Sequence, residues 1–339
     1  MIGVLVLTGF LGSGKTTLLR HLLQQPAFSR TAVIINEFGE IGLDHDLVEA
    51  STDSFIELQT GCLCCKVRND LIETLDEMLR RRDQGSVPPF TRIVIETSGL
   101  ADPAPILQTL MTNAAGRLVL DGVVTTVDAV NGAAALAREP ISLKQVALAD
   151  RLVLTKSDLA NGDQRPLIDR LAQLNASASL VTADHGSIDP ALLEGVAVDP
   201  HARSLALEAW LGEAANARGP AHARHDSEIE TYAVVRDAPI HAIALTLFLE
   251  VLAEHCGDRL LRLKGIVDIA ESPGRPAVIH GVQHVFHPPA WLPHWPSEDH
   301  RTRIILITRG IPRPWVELLL DAMEAEVVAA AGYLPLKGS

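Results

Sequence analysis

Six short apolar runs, largely β-branched, recur through the first half of the chain, at residues 4–7, 31–36, 92–97, 122–128, 151–155 and 179–183. None alternates apolar with polar residues. Each therefore reads as a strand covered on both faces, the pattern of a parallel sheet. Helical spacing fills the intervals. Residues 15–25 read as one helix, and 66–82 place Leu71, Leu75, Met78 and Leu79 on one face of another. Strand and helix in alternation predict an α/β domain with a mostly parallel sheet, its ligands at the carboxyl ends of the strands. Residues 199–227 change character. They are rich in Ala, Arg, His, Gly and Pro, and Gly219-Pro220 breaks any regular element. After them the pattern resumes differently, with strands at 229–236, 259–269, 277–286 and 303–309 and helices at 241–255 and 313–329. That is a smaller C-terminal α+β domain with a largely antiparallel sheet. The expected organisation is a first domain at 1–211, a linker at 212–227 and a second domain at 228–339.

Composition narrows the function classes. The 339 residues carry a formal net charge of −13, which disfavours nucleic acid and anionic membrane as partners. No apolar stretch approaches the length of a membrane span. The apolar start lacks a basic flank and runs straight into a glycine loop, so it reads as a first strand, not a signal peptide. Of the four cysteines, Cys62, Cys64 and Cys65 lie within four positions and Cys256 stands alone. Such clustering suits a metal better than a disulfide framework, and the expected location is cytoplasmic. Cys256 reads as a buried small hydrophobe.

The first strand ends in GFLGSGKTT, where Gly9, Gly14, Lys15 and Thr16 fit G-x-x-x-x-G-K-[ST] in the strand–loop–helix context that the motif needs. Glycines let several backbone N–H groups face one phosphate, and the following helix adds partial positive charge. Gly12, Ser13, Gly14, Lys15, Thr16 and Thr17 would hold the phosphates. Lys15 would bridge the β- and γ-phosphates, and Thr16 would ligate Mg²⁺. Next comes NEFGEIGLD at 36–44, an acidic loop with Glu37, Glu40 and Asp44, placed where a γ-phosphate-sensing switch would sit. GCLCC follows at 61–65. Thiolates are soft ligands that suit Zn²⁺ or Cu(I) over Mg²⁺, and three of them leave a fourth tetrahedral position open. Lys66 and Arg68 would favour the thiolate forms.

The third run ends in ETSGLADP. Glu96 falls at its carboxyl end, where an acid can hold the Mg²⁺ shell through water, and Gly99 puts flexible backbone beside the γ-phosphate. Strand five leads into TKSD. Asp158 could accept guanine N1–H and N2–H₂ together, the Lys156 stem could cover the base face, and 182–186 could close over the base. Arg68 and Arg92 are the arginines considered for a charge near the phosphates. His222 and His225 stand in the linker at H-x-x-H spacing, and His280, His284 and His287 read as surface or core histidines. Trp291 and Trp295, in a Pro-rich loop, read as packing residues.

GFLGSGKTT, NEFGEIGLD, GCLCC, ETSGLADP and TKSD, in this order, resemble the CobW-like GTPases, a group that includes cobalamin-biosynthesis proteins, zinc-transfer GTPases and nitrile hydratase activators. LLRLKGIV at 260–267 and IHGVQHVF at 279–286 resemble that family's C-terminal domain. The resemblance implies a GTPase binding GTP or GDP with Mg²⁺, with Lys15, Thr16, Glu37 and Glu96 as the catalytic set. It also implies a transferable metal on Cys62, Cys64 and Cys65, Zn²⁺ first and Co²⁺ second, passed to a client metalloprotein. A homodimer is left open. Two other readings stay beside it: a P-loop kinase or ligase with a structural zinc, and a nucleotide-dependent scaffold that activates a metalloenzyme.

Overall fold

The computed structural model describes residues 1–36, 57–59, 67–113, 117–193 and 229–333. They fall into two compact units, one within Met1–Asp199 and one within Pro200–Ser339. The expected linker, 212–227, lies outside the described residues, as do His222 and His225.

The first unit is built on β1 (Ile2–Gly9), β2 (Thr31–Asn36), β3 (Glu57–Gln59), β4 (Arg92–Thr97), β5 (Leu118–Asp128), β6 (Arg151–Thr155) and β7 (Ser179–Thr182). They form one seven-stranded sheet in the order β3-β2-β4-β1-β5-β6-β7, and every pairing is parallel. Helices α1 (Lys15–Leu23), α2 (Val67–Asp83), α3 (Ala104–Asn113), α4 (Gly132–Arg138), α5 (Pro140–Leu148) and α6 (Arg165–Leu174) make the connections. Apolar runs on both faces explain why β1 sits centrally. Leu5 and Leu7 pack with Leu18 and Leu22 of α1 and with Phe28, Val94, Val124 and Val153. The chain leaves β1 to one side for β2 and β3, returns for β4, and crosses to the other side for β5. This reversal opens a crevice at the carboxyl ends of β1, β4 and β5, where ligands of doubly wound sheets bind.

Two features depart from the expected strands. β5 begins at Leu118, not at residue 122, because the ladder with β1 skips one residue between Val4 and Leu5, and this bulge absorbs the polar Asp121. The three-residue β3 was not expected at all, being too short to carry a period.

One buried polar residue ties α5 to α6. Asn175, fully buried, donates from Nδ2 to Val146 O (2.9 Å), Ala147 O (3.2 Å) and Ala149 O (2.9 Å). Its Oδ1 accepts from Ser177 and from Ala178 N. Alanine there takes one hydrogen-bond partner from each of three carbonyls and two backbone donors. We expect Asn175→Ala to cost about 3 kcal/mol, read as a lower urea midpoint by circular dichroism.

The second unit holds β8 (Ile229–Arg236), β9 (Leu260–Val267), β10 (Ala277–Val282), β11 (Val285–Phe286), β12 (Ala290–Trp291) and β13 (Thr302–Arg309). The strand order is β11-β10-β9-β13-β8, with β12 on β10, and all pairings are antiparallel. α7 (Ala242–Cys256) and α8 (Arg313–Tyr333) pack on one face through Phe248, Leu252, Val316 and Leu320 against Leu263, Val267, Ile304 and Leu306. The strand expected at 277–286 is a hairpin. Gln283 turns the chain with φ 54°, and Phe286 pairs back with Gly281. The turn lacks an Asn-Gly or Asp-Gly signal, so the apolar run reads through it.

Trp295 is buried and stacks on His300 at 5.1 Å, whereas Trp291 stays largely exposed. His280 stacks on His287 at 4.8 Å. Cys256 is buried in the core, as expected, and burial pushes its thiol pKa up. Among the described residues no helix is long and apolar enough to cross a membrane.

Candidate nucleotide site

β1 delivers the chain into a loop that turns back over its own end. Ser13 N donates to Phe10 O at 3.1 Å and closes the turn. Gly14 caps α1 with φ 89° and ψ 17°, a left-handed conformation that costs glycine little. The loop is fastened to neighbouring strands by threonines. Ser13 Oγ and Thr126 Oγ1 share a hydrogen bond of 2.6 Å, and Thr155 Oγ1 donates to Ser13 O at 2.7 Å. Beneath it Thr97 Oγ1 donates to Thr8 Oγ1 at 2.8 Å. The α1 amino end carries no acidic residue in its first turn, so its partial positive charge stands uncancelled by a neighbouring carboxylate on the same helix.

Lys15 is buried, and its Nζ donates to Gly9 O at 2.8 Å and to Phe10 O at 3.2 Å. The loop carbonyls hold the ammonium beside the turn that they form. Thr16 Oγ1 donates to Glu96 Oε1 at 2.6 Å, bringing α1 and the end of β4 together across 80 positions of sequence. A hydroxyl and a carboxylate are the hard oxygen donors that Mg²⁺ takes, so these two residues fit that ion.

The loop after β4 packs against the phosphate loop. A Cβ on Gly99 would lie 2.7 Å from Leu11 N and 2.8 Å from Leu11 Cα, so only glycine allows this approach. From behind, Gln145 Nε2 donates to Gly99 O (3.1 Å) and Ala101 O (3.2 Å). Lys144 Nζ pairs with Asp102 Oδ2 at 2.7 Å, while Asp102 Oδ1 accepts from Ala104 N at the start of α3.

On the other side, Lys156 takes φ 56° and pairs with Asp128 Oδ2 at 2.8 Å. Asp128 Oδ1 accepts from Val130 N (2.7 Å) and Asn131 N (3.1 Å), and Oδ2 from Asn131 Nδ2. Burial alone would raise the Asp128 pKa. The hydrogen bonds from Lys156, Asn131 and Val130 outweigh it and hold the carboxyl below its usual range. Asp158 Oδ2 meets His185 Nδ1 at 3.3 Å. A Cβ on the next residue, Gly186, would sit 2.8 Å from Thr17 Cγ2, so the loop after β7 lies against α1. A cavity of about 330 Å³ runs between the phosphate loop, β5, α4 and α5, lined by Phe10, Gly12, Asp128, Leu136, Gln145 and Lys156 among others.

Residues 12–17, Glu96, Gly99, Lys156 and Asp158 thus gather at one edge of the sheet. Glu37, Cys62, Cys64 and Cys65 lie outside the described residues, as do residues 37–44 of the expected switch loop. Arg92 is not near the phosphate loop. It sits at the amino end of β4, with its guanidinium 4.4 Å over Phe28 and Nη1 donating to Ala27 O. The side chain of Arg68 is outside the described residues. Thr8, Thr97, Thr126, Asp128, Lys144 and Gln145 were not singled out from the sequence. A polar residue closing an apolar run is a signal for the first four; nothing local marks Lys144 or Gln145.

Comparison with known proteins identifies relatives of this chain. The model for the CobW/HypB/UreG nucleotide-binding domain matches residues 3–182, and that for the cobalamin synthesis protein CobW C-terminal domain matches 229–324. The zinc chaperone YjiA of Escherichia coli K12 is 36% identical over 322 residues, covering 94% of this chain and 96% of its own. The zinc chaperone CobW of a Sinorhizobium species is 34% identical over 303 residues, covering 80% of this chain and 82% of its own. The crystal structure of Zn(II)-bound YjiA GTPase from E. coli superposes with a TM-score of 0.69 at 30% identity, covering 95% of this chain and 98% of that one.

Proposed function

This chain belongs to the CobW family of GTPases, and from that premise we propose that it hydrolyses GTP to control a Zn²⁺ ion held by Cys62, Cys64 and Cys65 and given to a client metalloprotein. The observation that carries the reading is the Thr16–Glu96 hydrogen bond beside buried Lys15, at the amino end of α1. Phosphates would lie on the N–H groups of residues 12–17 with Lys15 at the β- and γ-oxygens. Thr16 and Glu96 would hold Mg²⁺, which supplies charge neutralisation along the triphosphate. Asp158 would read the guanine edge and Lys156 would cover its face. Zn²⁺ suits the thiolates best, with Co²⁺ second.

β2 ends at Asn36 and α2 begins at Val67, and the interval contains both Glu37 and the three cysteines. One stretch of chain therefore joins the γ-phosphate side to the metal ligands, and this is the route by which nucleotide would set metal affinity. Coupling of this kind runs at about 1–3 kcal/mol, or about 5–150-fold in affinity, and it is reciprocal. Release then also draws on the client's own ligands. Arg92 lies away from the phosphate loop, and hydrolysis is expected to be slow until a partner adds positive charge.

The test is Zn²⁺ affinity measured with GDP and with a non-hydrolysable GTP analogue. The expected result is a difference of about tenfold, abolished in Cys64→Ser together with client activation. Equal affinities would rule out nucleotide-controlled release, and activation that survives Cys64→Ser would identify a scaffold instead.

A further inference from the structure

We propose that α5, through Gln145 with Lys144 in support, positions the Gly99 backbone for hydrolysis of the γ-phosphate, an inference that rests on the GTPase reading above. Gln145 is 1% exposed, and it spends Nε2 on two carbonyls of one loop, Gly99 O at 3.1 Å and Ala101 O at 3.2 Å. Two carbonyl partners settle the amide orientation, because the flipped amide would set its oxygen against both. Oε1 is left buried with no hydrogen-bond partner. Burying an unmet acceptor opposes folding, and methionine would avoid it at similar size. What glutamine supplies, and methionine cannot, is the pair of N–H groups aimed at residues 99 and 101.

The Gln145 bonds hold the peptide that follows Gly99, and a backbone turn holds the one that precedes it. Ser98 O accepts Ala101 N at 3.0 Å. In a planar trans peptide this turns the Gly99 N–H the opposite way. Gly99 O, in the next peptide, is drawn to Gln145. Lys144 holds Asp102, directly after Ala101, at 2.7 Å, and Thr125 Oγ1 donates to Gln145 O at 2.8 Å, tying the backbone of Gln145 to β5. On its far side Gly99 abuts Leu11 of the phosphate loop. The Gly99 N–H is therefore pre-set, clamped between α5 and the phosphate loop, before nucleotide arrives. It is the donor that a γ-phosphate would meet and that GDP would leave without a phosphate acceptor. Gln145 touches no reacting atom; it acts through Gly99, as a positioning residue.

The experiment compares wild type with Gln145→Met and Lys144→Ala in the full chain. Three quantities are read: kcat, the affinity for GDP, and the affinity for a non-hydrolysable GTP analogue. For Gln145→Met we expect GDP affinity within about twofold of wild type, and kcat and analogue affinity lower by about ten- to a hundredfold, the scale on which remote misplacement acts. Lys144→Ala should shift the same two quantities by less. GDP and analogue weakening together, with a lower melting temperature, would make Gln145 merely structural and overturn the proposal. Wild-type values throughout would do the same. Should Gln145→Met fail to fold, Lys144→Ala decides: an unchanged kcat and an unchanged analogue-to-GDP ratio reject the clamp. If wild type itself neither binds guanine nucleotide nor hydrolyses GTP, the function reading falls first and this inference with it. Normal wild-type turnover with indifferent variants defeats the inference alone.

Discussion

Lys15→Ala is expected to lower GTP turnover by about 10²- to 10³-fold and to leave the protein, as purified, without bound nucleotide. The magnitude is that of removing one preorganised charged donor from a site where negative charge gathers. The position makes the loss hard to recover. Lys15 is buried beneath the turn, and its Nζ already faces Gly9 O at 2.8 Å and Phe10 O at 3.2 Å. The loop carbonyls therefore hold the ammonium beside the turn on which phosphates would lie. Lys15→Arg is expected to fail nearly as badly. A planar guanidinium is larger, and its fork cannot replace a compact ammonium between two carbonyls and a phosphate. Turnover is read by phosphate release, and binding by titration with a fluorescent GDP analogue. Wild-type turnover in Lys15→Ala would mean that the phosphates sit elsewhere.

The reading behind that experiment comes from the chain alone, because the signals around Lys15 are local. Gly9, Gly14, Lys15 and Thr16 lie within eight positions, and the β1 and α1 patterns flank them directly. Glu96 was readable for a related reason: an acid that closes an apolar run stands at a strand's carboxyl end. The fastening of the site was not readable. Ser13 and Thr126 are 113 positions apart, Ser13 and Thr155 are 142, and Gln145 reaches back 46 to Gly99. Nothing near a threonine tells which loop its hydroxyl will hold; the sheet order decides that. In the second unit β9 alternates Arg262 and Lys264 with leucines, a pattern that reads as one buried and one wet face, yet all eight residues of β9 are buried. Local alternation reports the pleat correctly, but whether the second face is covered depends on residues far away in sequence. The turn at Gln283 was missed because a left-handed glutamine carries no compositional mark.

Asp158→Asn is expected to exchange guanine for xanthine. A carboxylate accepts both N1–H and N2–H₂ of guanine. The asparagine amide turns one acceptor into a donor, which clashes with the N2 amine but meets the xanthine C2 carbonyl. A site built on hydrogen bonds rejects the wrong edge strongly, so GTP affinity should fall by about 10²-fold or more while XTP affinity rises, with ATP gaining nothing. The surroundings favour a clean exchange. Lys156 is anchored to Asp128 Oδ2 at 2.8 Å, independently of Asp158, so the surface offered to the base face is the same in the variant. Asp158 Oδ2 lies 3.3 Å from His185 Nδ1, a contact that a base bound there would displace. His185 is mostly exposed on a loop whose Ala183 and Asp184 N–H groups are already bonded to Leu154 O and Ser187 O. Its ring can therefore swing away without unravelling the turn. The measurement is competition of GTP, XTP and ATP against one labelled nucleotide. A variant that loses all three equally would show that Asp158 builds the loop after β6 and does not read the base.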